Sequence, residues 1–321
     1  MTVDVARGRD LSAERLPSPD CVSATAHHLT PDQIRFFDHN GYLVLRNRIQ
    51  GRLLDRLRDA GHAWIREGLR LDGADDDFKF QTVNGERTMF RVDYVHNKDQ
   101  PVSLELLGCP EVLAIAESLC GSNFVPTYES MVFKQEGNGA PIQWHQDACY
   151  PVKHRIFNLD VYLDESKIGA GALKVIPGSN WRRQDICAIA DDHGWSPPGA
   201  IDVEMQAGDV LLHDVMVVHG SEQTAGNALR RTIYYEFRAA EEIIDDGPWD
   251  RQWIDRRLRL IPLGLRRHRD AYPNARQFAW NVAAEFRPAA GGDEQAELRI
   301  AHEVHMPGAY CSAGDAPGGK R

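Results

Sequence analysis

FVPTYESMVFKQ, residues 124–135, is where the chain changes character. Its β-branched and aromatic side chains fill a run of strand length. Runs of the same kind recur at 156–163, 172–177, 201–204, 209–218 and 231–238. Turn-forming clusters divide them: Glu136-Gly137-Asn138-Gly139, Gly169-Ala170-Gly171 and Pro177-Gly178-Ser179-Asn180. Upstream of residue 124 the signals are helical. At Thr30-Pro31-Asp32-Gln33 the threonine caps, Pro31 takes the first helical position and Gln33 completes a capping box. Ile34, Phe36 and Phe37 give that helix its apolar face, Gly41 ends it, and Tyr42-Leu43-Val44-Leu45 reads as a strand. A second helix is predicted over roughly 52–69, where Leu53, Leu54, Leu57, Ala60, Trp64 and Ile65 fall at helical spacing. A third runs from Pro110 to Cys120 and is closed by Gly121. Helices first, then strands with no helix between them, predict a mostly β fold. The expected core is an antiparallel double-stranded β-helix, of jelly-roll or cupin-like type, with helices outside it. The expected organisation is a flexible leader over 1–29, one domain over 30–290 and a partly disordered extension over 291–321.

Composition excludes some roles. With 37 basic against 47 acidic residues the net charge is -10, which argues against a nucleic-acid partner. No window approaches the roughly eighteen consecutive apolar residues of a membrane span. The stretch MTVDVARGRDLSAERLPSPD lacks the apolar segment of a secretory signal, so a cytoplasmic location is expected, as monomer or homodimer. Cys21, Cys109, Cys120, Cys149, Cys187 and Cys311 form no C-x-x-C pair, so neither a zinc knuckle nor a redox dithiol is indicated. Reduced thiols are the simplest expectation, with a disulfide or two left open.

The chemistry gathers at His145-Gln146-Asp147, with His219 far downstream and Arg230 eleven residues beyond that. In an extended segment His145 and Asp147 point to the same face. Two imidazoles and one carboxylate are the set that holds non-haem Fe(II) on one face and leaves the opposite positions open. A bare His-x-Asp is common by chance, and on its own an exposed strand explains it better. The second half of the pattern changes the balance. Ala207-Gly208-Asp209 turns the chain into Val210-Leu211-Leu212, an apolar strand that ends in Val217-Val218-His219-Gly220-Ser221. Arg230 and Arg231 then open another strand. One guanidinium of this pair, pointing inward, would grip a carboxylate bidentately, while Arg231 reads as a solvated strand-edge residue. His213 precedes His219 by six residues, an even number, so parity along one strand does not choose between them.

Read together, these pieces resemble the phytanoyl-CoA dioxygenase-like family of Fe(II)/2-oxoglutarate oxygenases. The resemblance runs from Thr30 to Arg238. It rests on the opening helix and Gly41-Tyr42-Leu43-Val44-Leu45, and on Trp144-His145-Gln146-Asp147. It also rests on Gly171-Ala172-Leu173-Lys174-Val175-Ile176-Pro177-Gly178-Ser179, and on Gly208-Asp209-Val210 leading to His219-Gly220-Ser221 and Arg230. It implies His145, Asp147 and His219 as the iron ligands, and selects His219 over His213, leaving the latter packed or behind a ligand. It implies Arg230 on the distal carboxylate of 2-oxoglutarate, with Ser221 assisting and Lys134 beside the co-substrate. O2 is the second co-substrate. Asn180 departs from the family pattern, in which histidine is more usual after Pro-Gly-Ser.

The implied reaction is hydroxylation of an unactivated C–H bond in a small molecule of specialised metabolism, or a related desaturation or ring closure, with succinate as co-product. Related halogenases are expected to carry a small residue at the position of Asp147, so its carboxylate argues against halogenation. Arg91, Tyr94, Tyr128, Tyr150 and Trp249 are the candidate substrate residues, with Lys134 at the border of both sites. Three alternatives stand beside this reading: an acyl-CoA hydroxylase, a cupin-like metal dioxygenase that does not use 2-oxoglutarate, and a jelly-roll binding module without catalysis. The arginine-rich segment 251–269 reads as an amphipathic outer helix with a solvated basic face rather than a phosphate-binding element.

Overall fold

The computed structural model describes residues 27–289, apart from 74, 84, 99, 135–138, 140, 150–154 and 225–228, together with 298 and 311–312. Most of the expected leader (1–29), most of the expected extension (291–321) and Tyr150 therefore lie outside the described residues.

Helix α1 (Pro31–Asn40) begins as its sequence dictates: Thr30 Oγ1 accepts from the Gln33 amide at 3.2 Å, and Gln33 Oε1 accepts from the Thr30 amide at 2.9 Å. Gly41 closes it at φ 75° and releases the chain into β1 (Tyr42–Leu45). Helix α2 (Gly51–Gly68) buries the predicted stripe of Leu53, Leu54, Leu57, Ala60, Trp64 and Ile65. A hairpin of β2 (Phe78–Val83) and β3 (Glu86–Asp93) follows, then the short buried helix α3 (Val102–Leu107) and α4 (Pro110–Cys120). The predicted strand region supplies β4 (Phe124–Lys134), β5 (Ile142–Gln146), β6 (Phe157–Tyr162) and β7 (Leu173–Ile176). Helix α5 (Ile186–His193) intervenes before β8 (Ile201–Val203), β9 (Val210–Asp214), β10 (Val218–Ser221) and β11 (Arg230–Ala239). Three helices close the main body: α6 (Ala240–Asp246), α7 (Arg251–Leu258) and α8 (Leu260–Ala271), and a two-residue strand β12 (Cys311–Ser312) lies beyond them.

All the strand pairings are antiparallel, in a seven-stranded sheet ordered β1-β9-β6-β11-β4-β3-β2 and a five-stranded sheet ordered β12-β5-β10-β7-β8. The double-stranded β core with outer helices is thus the fold. Alternation along each strand sorts its side chains between two faces. On the large sheet Leu43, Leu45, Leu159, Val161, Leu212, Ile233, Tyr235 and Phe237 join one apolar cluster with the helices. Residues of opposite parity, Val44, Tyr162 and Leu211, pack instead against Leu173, Val175 and Val203 of the small sheet.

Four expectations are corrected. The apolar run 209–218 is two strands, because Asp214 makes a turn: its Oδ1 accepts from the Met216 amide at 2.8 Å and its carbonyl from the Val217 amide at 2.9 Å. A helix, α5, does interrupt the strand series. Arg231 is buried, not solvated, with Nε and Nη2 on the two oxygens of Asp164 at 2.8 and 2.9 Å. Cys109, Cys120 and Cys187 are free, but Cys149 is disulfide-bonded. Among the described residues no helix is long and apolar enough to cross a membrane.

The arginine-rich segment is two helices whose apolar residues Trp253, Ile254, Leu258, Leu260, Ile261 and Leu263 are buried. One arginine departs from the solvated reading. Arg257 is 1 % exposed; its Nε donates to the Pro126 carbonyl at 2.7 Å and its Nη2 reaches the Glu129 carboxylate on the helix side of β4. Breaking such a pair leaves a buried carboxylate uncompensated. Arg257→Met is therefore expected to lower the free energy of unfolding by about 3–5 kcal/mol. The double variant Arg257→Met/Glu129→Leu should recover most of that loss, as read from urea denaturation midpoints.

Candidate functional site

Strands β5 and β10 pair so that His145 lies directly across from His219, with ring centroids 4.1 Å apart. Asp147 follows the end of β5, two residues past His145 and on the same side. One donor atom from each of the three residues lies within 4.8 Å of the other two. Both rings are oriented by backbone. His145 Nδ1 meets the Gln143 carbonyl at 2.7 Å, and His219 Nδ1 meets the Val217 carbonyl at 2.9 Å. A carbonyl only accepts, so each Nδ1 carries a proton, and in a neutral ring that leaves the Nε2 lone pair for a metal. His145 Nε2 stands 3.3 Å from Asp147 Oδ1, and His219 Nε2 3.8 Å from Asp147 Oδ2. Gln146, between the two ligand candidates, points the other way. Its amide donates to Met216 O at 2.5 Å and accepts from the Gln184 amide at 2.9 Å, which ties the end of β5 to the turn before β10.

The electrostatics suit a cation. Burial, and repulsion from His145, push His219 down to about 3, so its ring is neutral. Burial alone would raise the Asp147 carboxyl; the imidazoles around it, His219, His145 and His213, outweigh burial and hold the group well below the usual carboxylate range. Behind Asp147 stands the large sheet. Asn158 Nδ2 donates to Asp147 Oδ2 at 2.8 Å, and His213 Nε2 lies 3.1 Å from the same oxygen. Asp160 Oδ2 meets His213 Nδ1 at 2.8 Å. Burial opposes charge on His213, but the two flanking aspartates raise it to about 10.

A second subsite lies where β10 and β11 carry Ser221 and Arg230. Ser221 is two residues past His219 on the same strand, hence on the same face. Its hydroxyl is buried and finds no partner among the described residues, and neither does Arg230 Nε. Arg230 is 3 % exposed, and its contacts are with Tyr162: Nη2 to the hydroxyl at 3.4 Å, and the guanidinium 5.3 Å from the ring centroid. Lys134 is its register partner on β4, also buried, with Nζ donating to the Glu222 carbonyl at 2.6 Å. Burial, with Arg230 alongside, brings the Lys134 amine down to about 7. Gly171 covers the pair: at its φ of +88°, a Cβ would stand 3.1 Å from Lys134 Cδ and 3.6 Å from Arg230 Cδ. Two basic side chains are thus held together out of water, with Glu222 acting on Lys134 and Asp160 on Arg230.

A cavity of about 350 Å³ opens over His145, Asp147 and His219. Of the predicted substrate residues, Arg91 and Tyr128 line it. Lys134 lines a smaller adjoining cavity of about 140 Å³. Tyr94 stands edge-on behind Tyr128, 6.2 Å between centroids, and Trp249 lies under the Arg238 guanidinium at 4.9 Å, so neither faces the cavity itself. Sequence reasoning missed Asn158, Tyr234, Glu236 and Arg238, all of which line it. A signal was present: polar residues at every second position of otherwise apolar strands, in FNLDVY (157–162) and YYEFR (234–238), mark an inward polar face.

A model of the phytanoyl-CoA dioxygenase (PhyH) family matches residues 37–232, more than half of the chain. The chain is 27% identical over 183 residues to a probable alpha-ketoglutarate-dependent hypophosphite dioxygenase of Stutzerimonas stutzeri, covering 52% of this chain and 63% of that protein. The chain thus spans less than two thirds of that relative. Among solved structures it is similar to AviO1 from Streptomyces viridochromogenes Tue57, with TM-score 0.57, 26% identity, and coverage of 68% of this chain and 96% of that one. The fold is also that of EctD from S. alaskensis with 2-oxoglutarate and 5-hydroxyectoine, with TM-score 0.56, 20% identity, and coverage of 70% of this chain and 80% of that one.

The Lys134 amine gives the subsite a pH signature without any ligand. Its folded value near 7 lies below the roughly 10.4 of an unfolded lysine, so between these values the unfolded chain binds more protons and stability rises with pH. Below about pH 7 the group must be charged in both states, and the full cost of burying it is present. Lys134→Met should therefore stabilise the ligand-free protein most at pH 6.5 and progressively less toward pH 9, measured as the difference in urea midpoints.

Proposed function

We propose, from the premise that this chain belongs to the phytanoyl-CoA dioxygenase family, that it is an Fe(II)- and 2-oxoglutarate-dependent dioxygenase acting on a polar small molecule. The observation that carries the reading is Arg230, a buried guanidinium with an unpartnered Nε at the start of β11, while the next-but-one residue after His219 on β10, Ser221, also buries an unpartnered hydroxyl. Burying a guanidinium with part of its donor set unpartnered is costly, and a dicarboxylate arriving there would offset that cost.

The donor set fits the metal: two imidazoles whose Nδ1 is held by backbone, and one carboxylate, the facial arrangement that leaves positions open. His145, Asp147 and His219 would hold iron, which supplies O2 activation coupled to decarboxylation of 2-oxoglutarate to succinate. Arg230 would bind the distal carboxylate of 2-oxoglutarate bidentately, Ser221 would donate to it, and Lys134 would add a second positive charge. The two sheets and the apolar cluster between them keep water from this end of the core. Asp147 occupies the place a halide would need, which supports hydroxylation, desaturation or ring closure over halogenation.

The cavity bears on the substrate. Arg91, Tyr128, Glu236 and Arg238 project into it. Glu236 accepts from Thr127 Oγ1 at 2.7 Å and from Arg238 Nε at 2.9 Å, and Asp93 accepts from Arg91 and from the Tyr128 hydroxyl. Such a lining supports a compact, hydrogen-bonding molecule of specialised metabolism over the long apolar chain of an acyl thioester.

The test is succinate formation by the purified protein given Fe(II), 2-oxoglutarate and O2. His145→Ala should abolish it. Arg230→Ala should raise the apparent KM for 2-oxoglutarate about a hundredfold, since losing a bidentate charged pair costs roughly 3 kcal/mol. Activity indifferent to Arg230 would favour a metal dioxygenase that does not use 2-oxoglutarate. A protein that binds no Fe(II) anaerobically would sink the proposal.

A further inference from the structure

We propose that Asn158 and His213, with Asp160 behind the imidazole, clamp one oxygen of Asp147 and so reserve the other for the metal; this rests on the metal-centre reading above. Asp147 stands past the last residue of β5, beyond the ladder that fixes His145. A carboxylate so placed is free to turn both oxygens toward a cation. Chelation by both would take one of the positions that a facial three-residue set leaves open for co-substrate and O2.

The large sheet prevents this turn. Asn158 on β6 and His213 on β9 are register partners, so their side chains rise together on one face. Their nitrogens are 3.0 Å apart and converge on Asp147 Oδ2, at 2.8 Å from Asn158 Nδ2 and 3.1 Å from His213 Nε2. Oδ1 is left facing His145 Nε2, 3.3 Å away. Asp160, two residues past Asn158 on the same face, fixes the ring by its 2.8 Å contact with Nδ1.

Asp160 itself argues for a dedicated device. It is fully buried between Leu159 and Val161, and its Oδ1 has no partner among the described residues. Burial disfavours its charged form. An apolar residue would serve the sheet better, so the cost is intelligible as the means of holding His213. The three are positioning residues: they act through Asp147.

The test is Co(II) titration of the metal-free full-length protein, followed by visible absorption, with thermal melts as the check on folding. Asn158→Leu keeps the volume and removes the amide. It should weaken Co(II) binding about 10–100-fold, the usual effect of removing a partner of a metal ligand. It should also change the ligand-field spectrum at saturating metal, while the metal-free melting temperature holds or rises. His213→Phe should do the same, and His213→Gln, which returns an amide toward Asp147, should restore part of the affinity. Should His213→Phe fail to fold, Asn158→Leu and His213→Gln carry the test. Wild-type affinity and spectrum in both Asn158→Leu and His213→Gln overturn the clamp and leave the metal centre standing. A wild-type protein that takes up neither Co(II) nor Fe(II) overturns the metal centre, and the clamp with it.

Discussion

The pairing of β5 with β10 is the constraint on which the rest depends. Residues directly opposed in an antiparallel ladder bring their side chains within about 5 Å on one face. His145 and His219, far apart in the chain, meet because that ladder sets them opposite each other. The same strands also aim the rings. Each Nδ1 is held by the carbonyl two residues earlier in the chain, Gln143 on β5 for one and Val217, just before β10, for the other. Presentation of Nε2 is therefore a product of strand geometry and needs no further side chain. Gln146 adds a side-chain cross-link from the end of β5 to Met216.

Around this pair the strands divide labour by parity. On β11, Ile233, Tyr235 and Phe237 sit in the core under the helices, while Tyr234, Glu236 and Arg238 line the cavity. On β6, Leu159 and Val161 face the helices, while Asn158 and Asp160 reach the Asp147 network. Burying Arg230, Lys134 and Asp160 costs free energy that an apolar inner face would not. The helix-packed outer face of the same strands offsets it. Stability and chemistry thus occupy opposite faces of one sheet, which is why a polar cluster this dense is tolerated inside a β core.

Much of this was legible in the sequence, for local reasons. The capping box at Thr30, the stripe from Leu53 to Ile65 and the close of α4 at Gly121 depend on neighbours a few residues away, so their residue types declare them. The cluster of His145, Asp147 and His219 was legible only as an ordered pattern. Geometry then brought the three donors together. What stayed hidden was non-local. Arg231 looks like an edge residue until Asp164 is folded against it, and Arg257 looks solvated until α7 docks on β4. Tyr94 and Trp249 have the right character for a binding site but stand one layer behind Tyr128 and Arg238. The alternation Phe78-Lys79-Phe80-Gln81 in β2 was a strand signal that sequence reasoning passed over.

The break at Asp214 shows why parity alone could not assign the histidines. Read as one strand, 209–218 would put His213 and His219 on the same face, equivalent in prospect. The turn built by the Asp214 carboxylate and carbonyl ends β9 in the large sheet and begins β10 in the small one. The two histidines then approach from opposite walls, with ring centroids 4.6 Å apart. From the small sheet, His219 has Nδ1 on a backbone carbonyl and Nε2 toward the centre. From the large sheet, His213 has Nδ1 on Asp160 and Nε2 toward Asp147. Each ring's far nitrogen is committed to a different kind of acceptor, a neutral carbonyl for one and a buried carboxylate for the other. That difference, acting with burial and with the repulsion of the neighbouring rings on His219, separates the ring kept neutral, and fit to bind a metal, from the ring whose charge two aspartates favour.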